Sequence, residues 1–187
     1  MANLQKYAVH PDYAKMPSLP FPFGRISTAL INYWVEFDAQ RRMRKVPATV
    51  AKHRVPSADR SYFPVYEFRP KNTHPEEKLP AVVYFHGGAF VLTYASSHVA
   101  NIAEYVNRVK CAVFMVDYRL APQHLFPKGF EDCWAALQWV REKAEWLHVD
   151  AGRIVVMGDS AGGCLSAGIA QKARDEGVAL CGQVLVY

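Results

Sequence analysis

Arg153-Ile154-Val155-Val156-Met157-Gly158-Asp159-Ser160-Ala161-Gly162-Gly163 runs from a short β-branched apolar stretch, through a serine between glycines, into a small-residue stretch. Residues 153–157 read as a strand buried on both faces. Residues 161–174, rich in alanine, read as a helix that stops near Gly177. The pattern Gly-x-Ser-x-Gly carries little by itself, because a chain of this length meets it by chance about 5% of the time. Its setting carries more. A serine on a sharp strand-to-helix turn needs neighbours without side chains, and Gly158 and Gly162 supply them. The helix that follows aims unpaired N–H groups and its positive dipole end at the turn, so Ala161 N–H is a natural donor to an oxyanion. A plain packing turn and a phosphate-binding turn are the competing readings. The phosphate loops Gly-x-x-x-x-Gly-Lys and Gly-x-Gly-x-x-Gly are absent from the sequence.

Outward from this stretch the chain alternates. Residues 81–85 (Ala-Val-Val-Tyr-Phe), 111–116 and 183–187 read as further buried strands, and 62–68 as a strand of alternating pattern. Residues 97–109 and 131–143 have helical spacing, and 71–78 form a polar turn. Strands interleaved with helices in this order predict βαβ units and a mostly parallel sheet with helices on both faces.

His86-Gly87-Gly88-Ala89-Phe90 follows the strand ending at Phe85. Adjacent glycines there allow backbone N–H groups to line a cavity as fixed donors. With Asp117-Tyr118-Arg119-Leu120-Ala121-Pro122 and Gly158-Asp159-Ser160-Ala161-Gly162-Gly163, this block resembles the hormone-sensitive-lipase-like carboxylesterases of the α/β-hydrolase fold over about residues 60–187. The resemblance implies hydrolysis of a small-molecule carboxylic ester, no metal or organic cofactor, and an N-terminal cap. It implies Ser160 as nucleophile and an oxyanion hole from Gly88, Ala89 and Ala161, with Gly87 grouped among them as the residue that shapes the loop. His86 is expected to brace that loop, Asp117 and Arg119 to make structural hydrogen bonds or an ion pair beneath it, and Asp159 to point away from Ser160. Two positions depart from the family pattern: Ala89 replaces a frequent third glycine, and Gln123 a usual acid.

Residues 1–55 are read as an N-terminal cap segment and 56–187 as the N-terminal portion of the catalytic domain. A helix from Ser27 to Met43 is expected in the former, packed on a core or lying over a pocket. Phe21, Phe23 and Trp34 are candidates for core packing or for an acyl pocket. A serine hydrolase of this fold places its acid and then its histidine after the nucleophile. No histidine follows Ser160, and the acids there, Asp175 and Glu176, read as surface charge. His10 and His53 are assigned to the cap, His74 to a loop, and His98, His124 and His148 to connecting segments without a route to Ser160. The chain is therefore expected to lack the C-terminal part of the fold and to be inactive by itself, a short paralogue being the alternative.

The bulk properties narrow the function classes. A net charge of +5 rests on scattered basic residues, and the run Arg41-Arg42-Met43-Arg44-Lys45 reads as a solvated helix end and not as a nucleic-acid patch. Four cysteines without a Cys-x-x-Cys pair make a disulfide framework improbable, and the seven histidines show no metal-ligand spacing. No signal peptide or apolar run of membrane-spanning length is visible, so a soluble cytoplasmic protein without stable membrane insertion is expected. A non-catalytic small-molecule receptor on the same scaffold, and an amidase or peptidase, stay open as alternative functions.

Overall fold

The computed structural model describes residues 24–74 and 77–187. Six strands form one sheet: β1 (Ala48–Pro56), β2 (Tyr62–Pro70), β3 (Leu79–Phe85), β4 (Ala112–Val116), β5 (Val149–Asp159) and β6 (Gly182–Val186). Their spatial order is β1-β2-β4-β3-β5-β6. The pairs β3–β4, β3–β5 and β5–β6 are parallel, whereas β1–β2 and β2–β4 are antiparallel. Among the described residues four helices accompany them: α1 (Arg25–Met43), α2 (Ser96–Tyr105), α3 (Lys128–Glu142) and α4 (Ala161–Asp175), with a π-helical turn, Val106–Lys110, continuing α2. None of these helices is long and apolar enough to cross a membrane.

Every residue of β4 is buried, which requires cover on both faces of the sheet. Successive side chains alternate between the two. Phe114 joins Val83 and Ile154 under Leu137 and Val140 of α3 and Ile169 of α4. Its neighbours Val113 and Met115 join Phe68 and Tyr84 under Met43 of α1 and Val99 and Ile102 of α2. The alternating helices and the mostly parallel sheet follow the sequence pattern, and so does the α/β-hydrolase architecture.

Two departures concern the N-terminal segment. Residues 48–56 form β1, paired along its whole length with β2 from Ala48↔Pro70 to Pro56↔Tyr62, so a cap boundary at residue 55 cuts through the sheet. The strand escaped the sequence reading because it lies at the edge and carries polar side chains such as Lys52, His53 and Arg54. The second departure is α1, which rests on the domain through Thr28, Ala39 and Met43. Asn32 fixes its rotation: Nδ2 donates to Val91 O at 2.8 Å, and Oδ1 accepts Thr93 N–H at 3.0 Å. Leu30, Trp34 and Phe37 face outward, and Trp34, a candidate for core packing, is 65% exposed. Phe21, Phe23 and His10 lie outside the described residues.

The strand register positions the site. Phe85 stands beside Val116 on one side and Gly158 on the other, and Asp159 stands beside Val186. The carboxyl ends of β3, β4, β5 and β6 thus share one rim, where α/β sheets gather their reactive groups.

Candidate active site

The turn from β5 into α4 places Ser160 at φ 52° and ψ −118°, a conformation that L-residues rarely adopt. Holding it there costs on the order of 1–3 kcal/mol, offset by the surrounding structure. Ser160 N–H donates to Val186 O at 3.0 Å, and Cys164 N–H to Ser160 O at 3.1 Å. The flanking glycines are required by contact. A Cβ on Gly158 would overlap the main chain of Gly162, and one on Gly162 would overlap the Phe85 carbonyl. The side chain of Ser160 is left exposed at the N-terminus of a 15-residue helix.

The loop after β3 is a run of positive φ: 128° at Gly88, 53° at Ala89 and 63° at Phe90. Ala89 thus takes the left-handed conformation although it is an L-residue. Gly88 O accepts from Val91 N–H at 3.0 Å and Leu92 N–H at 2.8 Å, and Phe90 O accepts from Ala121 N–H at 2.9 Å, which pins the loop. Among the described residues, no acceptor takes the N–H of Gly88, Ala89 or Ala161. Gly87 differs. Its N–H donates to Asp159 Oδ1 at 3.1 Å, so it leaves the set of free donors with which it was grouped. Any Cβ on Gly87 would collide with the same carboxylate.

Asp159 turns away from Ser160 and links three elements. Besides Gly87, its Oδ1 accepts the Tyr84 hydroxyl at 2.6 Å, and its Oδ2 faces His98 Nε2 at 3.3 Å. Burial raises its pKa, but the hydrogen bonds from His98, Tyr84 and Gly87 outweigh burial and hold it at about 2. The Tyr84 hydroxyl is correspondingly pushed well above its usual range, first by burial and then by this carboxylate.

The His86 side chain makes a single hydrogen bond to the loop. Its Nδ1 meets the Gly87 carbonyl at 2.8 Å, so Nδ1 carries the proton, and Nε2 is buried without a partner. The ring stacks on Tyr118 at 4.4 Å, and the Tyr118 hydroxyl donates to His86 O at 2.7 Å. Burial drives its pKa down to about 4, which keeps the imidazole neutral near pH 7.

Arg119 pairs with Asp132 and Asp59 and not with Asp117. The guanidinium grips Asp132 through Nε and Nη2, both at 2.8 Å, and reaches Asp59 through Nη1 at 2.7 Å. Asp132 is fully buried in α3, and Ser57 closes the network by donating to it at 2.7 Å. Asp117 makes no ion pair among the described residues, and its pKa is raised to about 7, first by burial and then by Glu36.

His98, Tyr84 and Asp132 were absent from the sequence-based set of site residues. His98 in particular lies in the first turn of α2, the helix expected there, yet it spans 61 residues to reach Asp159 beside Ser160, a route the sequence reading did not give it. Nothing local in sequence signals that contact. Among the described residues no imidazole hydrogen-bonds Ser160 Oγ; His53, assigned to the cap, lies on β1 and pairs with Glu67 at 2.6 Å.

A family model of the alpha/beta hydrolase fold matches residues 82–187. The chain is 46% identical over 102 residues to Esterase LipI of Mycobacterium tuberculosis, covering 54% of this chain and 32% of that protein. It is 39% identical over 114 residues to Gibberellin receptor GID1 of Oryza sativa subsp. japonica, covering 59% and 32%. The solved structure of a hyperthermophilic esterase from the archaeon Pyrobaculum calidifontis superposes with a TM-score of 0.74 at 37% identity, over 84% of this chain and 50% of that one. The chain thus spans between a third and a half of the length of these relatives. On the shared sheet, the elbow and the family match, this chain belongs to the α/β-hydrolase fold family, in its hormone-sensitive-lipase-like branch.

Proposed function

We propose that Ser160 is the nucleophile of a carboxylic-ester hydrolase whose general base and orienting acid are supplied by sequence following Tyr187. The observation that carries this reading is the strained Ser160 on its glycine-flanked turn, exposed at a helix N-terminus beside the unspent N–H groups of Gly88, Ala89 and Ala161. Ser160 Oγ attacks the ester carbonyl carbon and gives its proton to the base. The carbonyl electron pair moves to oxygen, and the oxyanion is held by those three donors, each contributing on the order of 3 kcal/mol. Collapse of the tetrahedral intermediate expels the alcohol with the proton from the base, and water then releases the acyl group by the same route in reverse. No step draws on a metal or an organic cofactor.

The similarity to a gibberellin receptor favours a second reading, a binding protein that retains the pocket and lacks the base. Hydrolysis of p-nitrophenyl butyrate separates the two. It is measured for the 187-residue chain and for a version continued through its downstream coding sequence, each beside Ser160→Ala. The esterase reading expects an inactive short chain and a longer chain whose turnover vanishes with Ser160→Ala. A folded but inactive longer chain would favour the receptor. Turnover by the short chain through Ser160 would overturn the assignment of the base to later sequence.

A further inference from the structure

The imidazole of His98 has its protonation pattern set by its own helix. Ala95 N–H donates to His98 Nδ1 at 2.8 Å, so Nδ1 is an acceptor and the ring proton sits on Nε2. That Nε2–H points at Asp159 Oδ2, 3.3 Å away. The other oxygen, Oδ1, receives Gly87 N–H and the Tyr84 hydroxyl. The carboxylate thus has one oxygen on α2 and the other on the loop carrying Gly88 and Ala89. His98 and Asp159 are both largely buried, with side chains 16% and 14% exposed, so water competes poorly for either. Without the imidazole, Asp159 keeps only the Tyr84 and Gly87 hydrogen bonds on Oδ1, and its Oδ2 loses the contact that fixes the plane of the carboxylate.

We infer that His98 is a positioning residue for the oxyanion loop: its Nε2–H orients Asp159, and Asp159 in turn holds Gly87 and sets where the N–H groups of Gly88 and Ala89 stand relative to Ser160. The inference rests on the esterase reading for its catalytic consequence, but the link from His98 to Gly87 exists independently of it. Positioned metal and oxyanion ligands elsewhere lose roughly 10- to 100-fold in function when the residue that orients them is removed.

The link is tested by nuclear magnetic resonance on the 187-residue chain. Long-range ¹⁵N–¹H spectra are expected to report the Nε2–H tautomer of His98. In His98→Ala, amide exchange at Gly87 is expected to rise by roughly tenfold or more while Val83 and Val156 stay protected, and His98→Gln, whose side-chain amide can still donate, is expected to restore most of it. An Nδ1–H tautomer, or Gly87 exchange unaltered in His98→Ala, overturns the inference. In the longer, active chain His98→Ala is expected to lower kcat by roughly 10- to 100-fold at nearly constant KM, because oxyanion donors act on the transition state and not on bound substrate. An unchanged kcat there also overturns it. Should the longer chain prove inactive with Ser160 intact, the esterase reading fails, and the exchange experiment still decides whether His98 positions the loop.

Discussion

The carbonyl of Phe85 at the end of β3 occupies the space that a side chain on Gly162 would need. Strand β3 and the first turn of α4 therefore touch backbone to backbone. Gly162→Ala is expected to destabilise the chain by at least about 3 kcal/mol, since neither backbone can give way without moving the sheet. Gly177→Ala provides the contrast. It has a φ of +68° and open space around it, so only the left-handed penalty of about 1 kcal/mol applies. Urea unfolding of both variants checks the difference; equal losses would mean that the contact at Gly162 is relieved elsewhere.

Ser160 carries a backbone conformation that glycine adopts freely. Ser160→Gly is expected to stabilise the fold by roughly 1 kcal/mol, the strain relieved being partly offset by the greater freedom of glycine in the unfolded chain. A rise in melting temperature would mark the elbow as a site where stability is given up for geometry. A fall would show that the strain is distributed over neighbouring residues.

Arg119 neutralises the fully buried Asp132, so removing it strands a charge. Arg119→Met is expected to cost about 3–5 kcal/mol, and adding Asp132→Asn is expected to recover part of the loss. A double-mutant cycle in chemical denaturation reads both. Additive losses would mean that Asp132 is stabilised by Ser57 and the Arg119 main-chain N–H instead, which donate to it at 2.7 and 3.0 Å.

Asp117 imposes a pH dependence of the opposite sign to an ordinary paired carboxylate. Unfolded, an aspartate titrates near 3.9, as a rough reference; folded, burial and Glu36 raise Asp117 to about 7. Its contribution is therefore fully favourable below pH of about 4 and is lost as pH rises through 7. Asp117→Asn is expected to flatten that loss, raising stability at pH 8 by on the order of 2 kcal/mol while changing little at pH 4. Urea midpoints at the two pH values decide; a wild-type-like slope in the variant would assign the effect to another group.

Much of the fold was legible because its signals are local. An apolar run bounded by glycine or proline can bury both faces, so β3, β4 and β5 announced themselves, and the small residues after Ser160 announced α4. The two glycine-bearing turns were legible for the same reason, since close approach of backbones leaves no room for other residue types. The edge strand β1 was not, because its polar residues make a strand only once β2 is beside it. Nor was the outward turn of Trp34 and Phe37, which depends on Asn32 meeting the main chain at Val91 and Thr93.

By itself the sequence determined the α/β alternation, the elbow at Ser160 and the loop at 86–90, all of them consequences of neighbouring residues. Tertiary structure alone decided that Gly87 serves Asp159, that Arg119 pairs with Asp132 and not Asp117, and that His98 reaches the elbow. Each of these joins residues at least 13 positions apart, and their meeting is set by strand order and register, which no local pattern encodes.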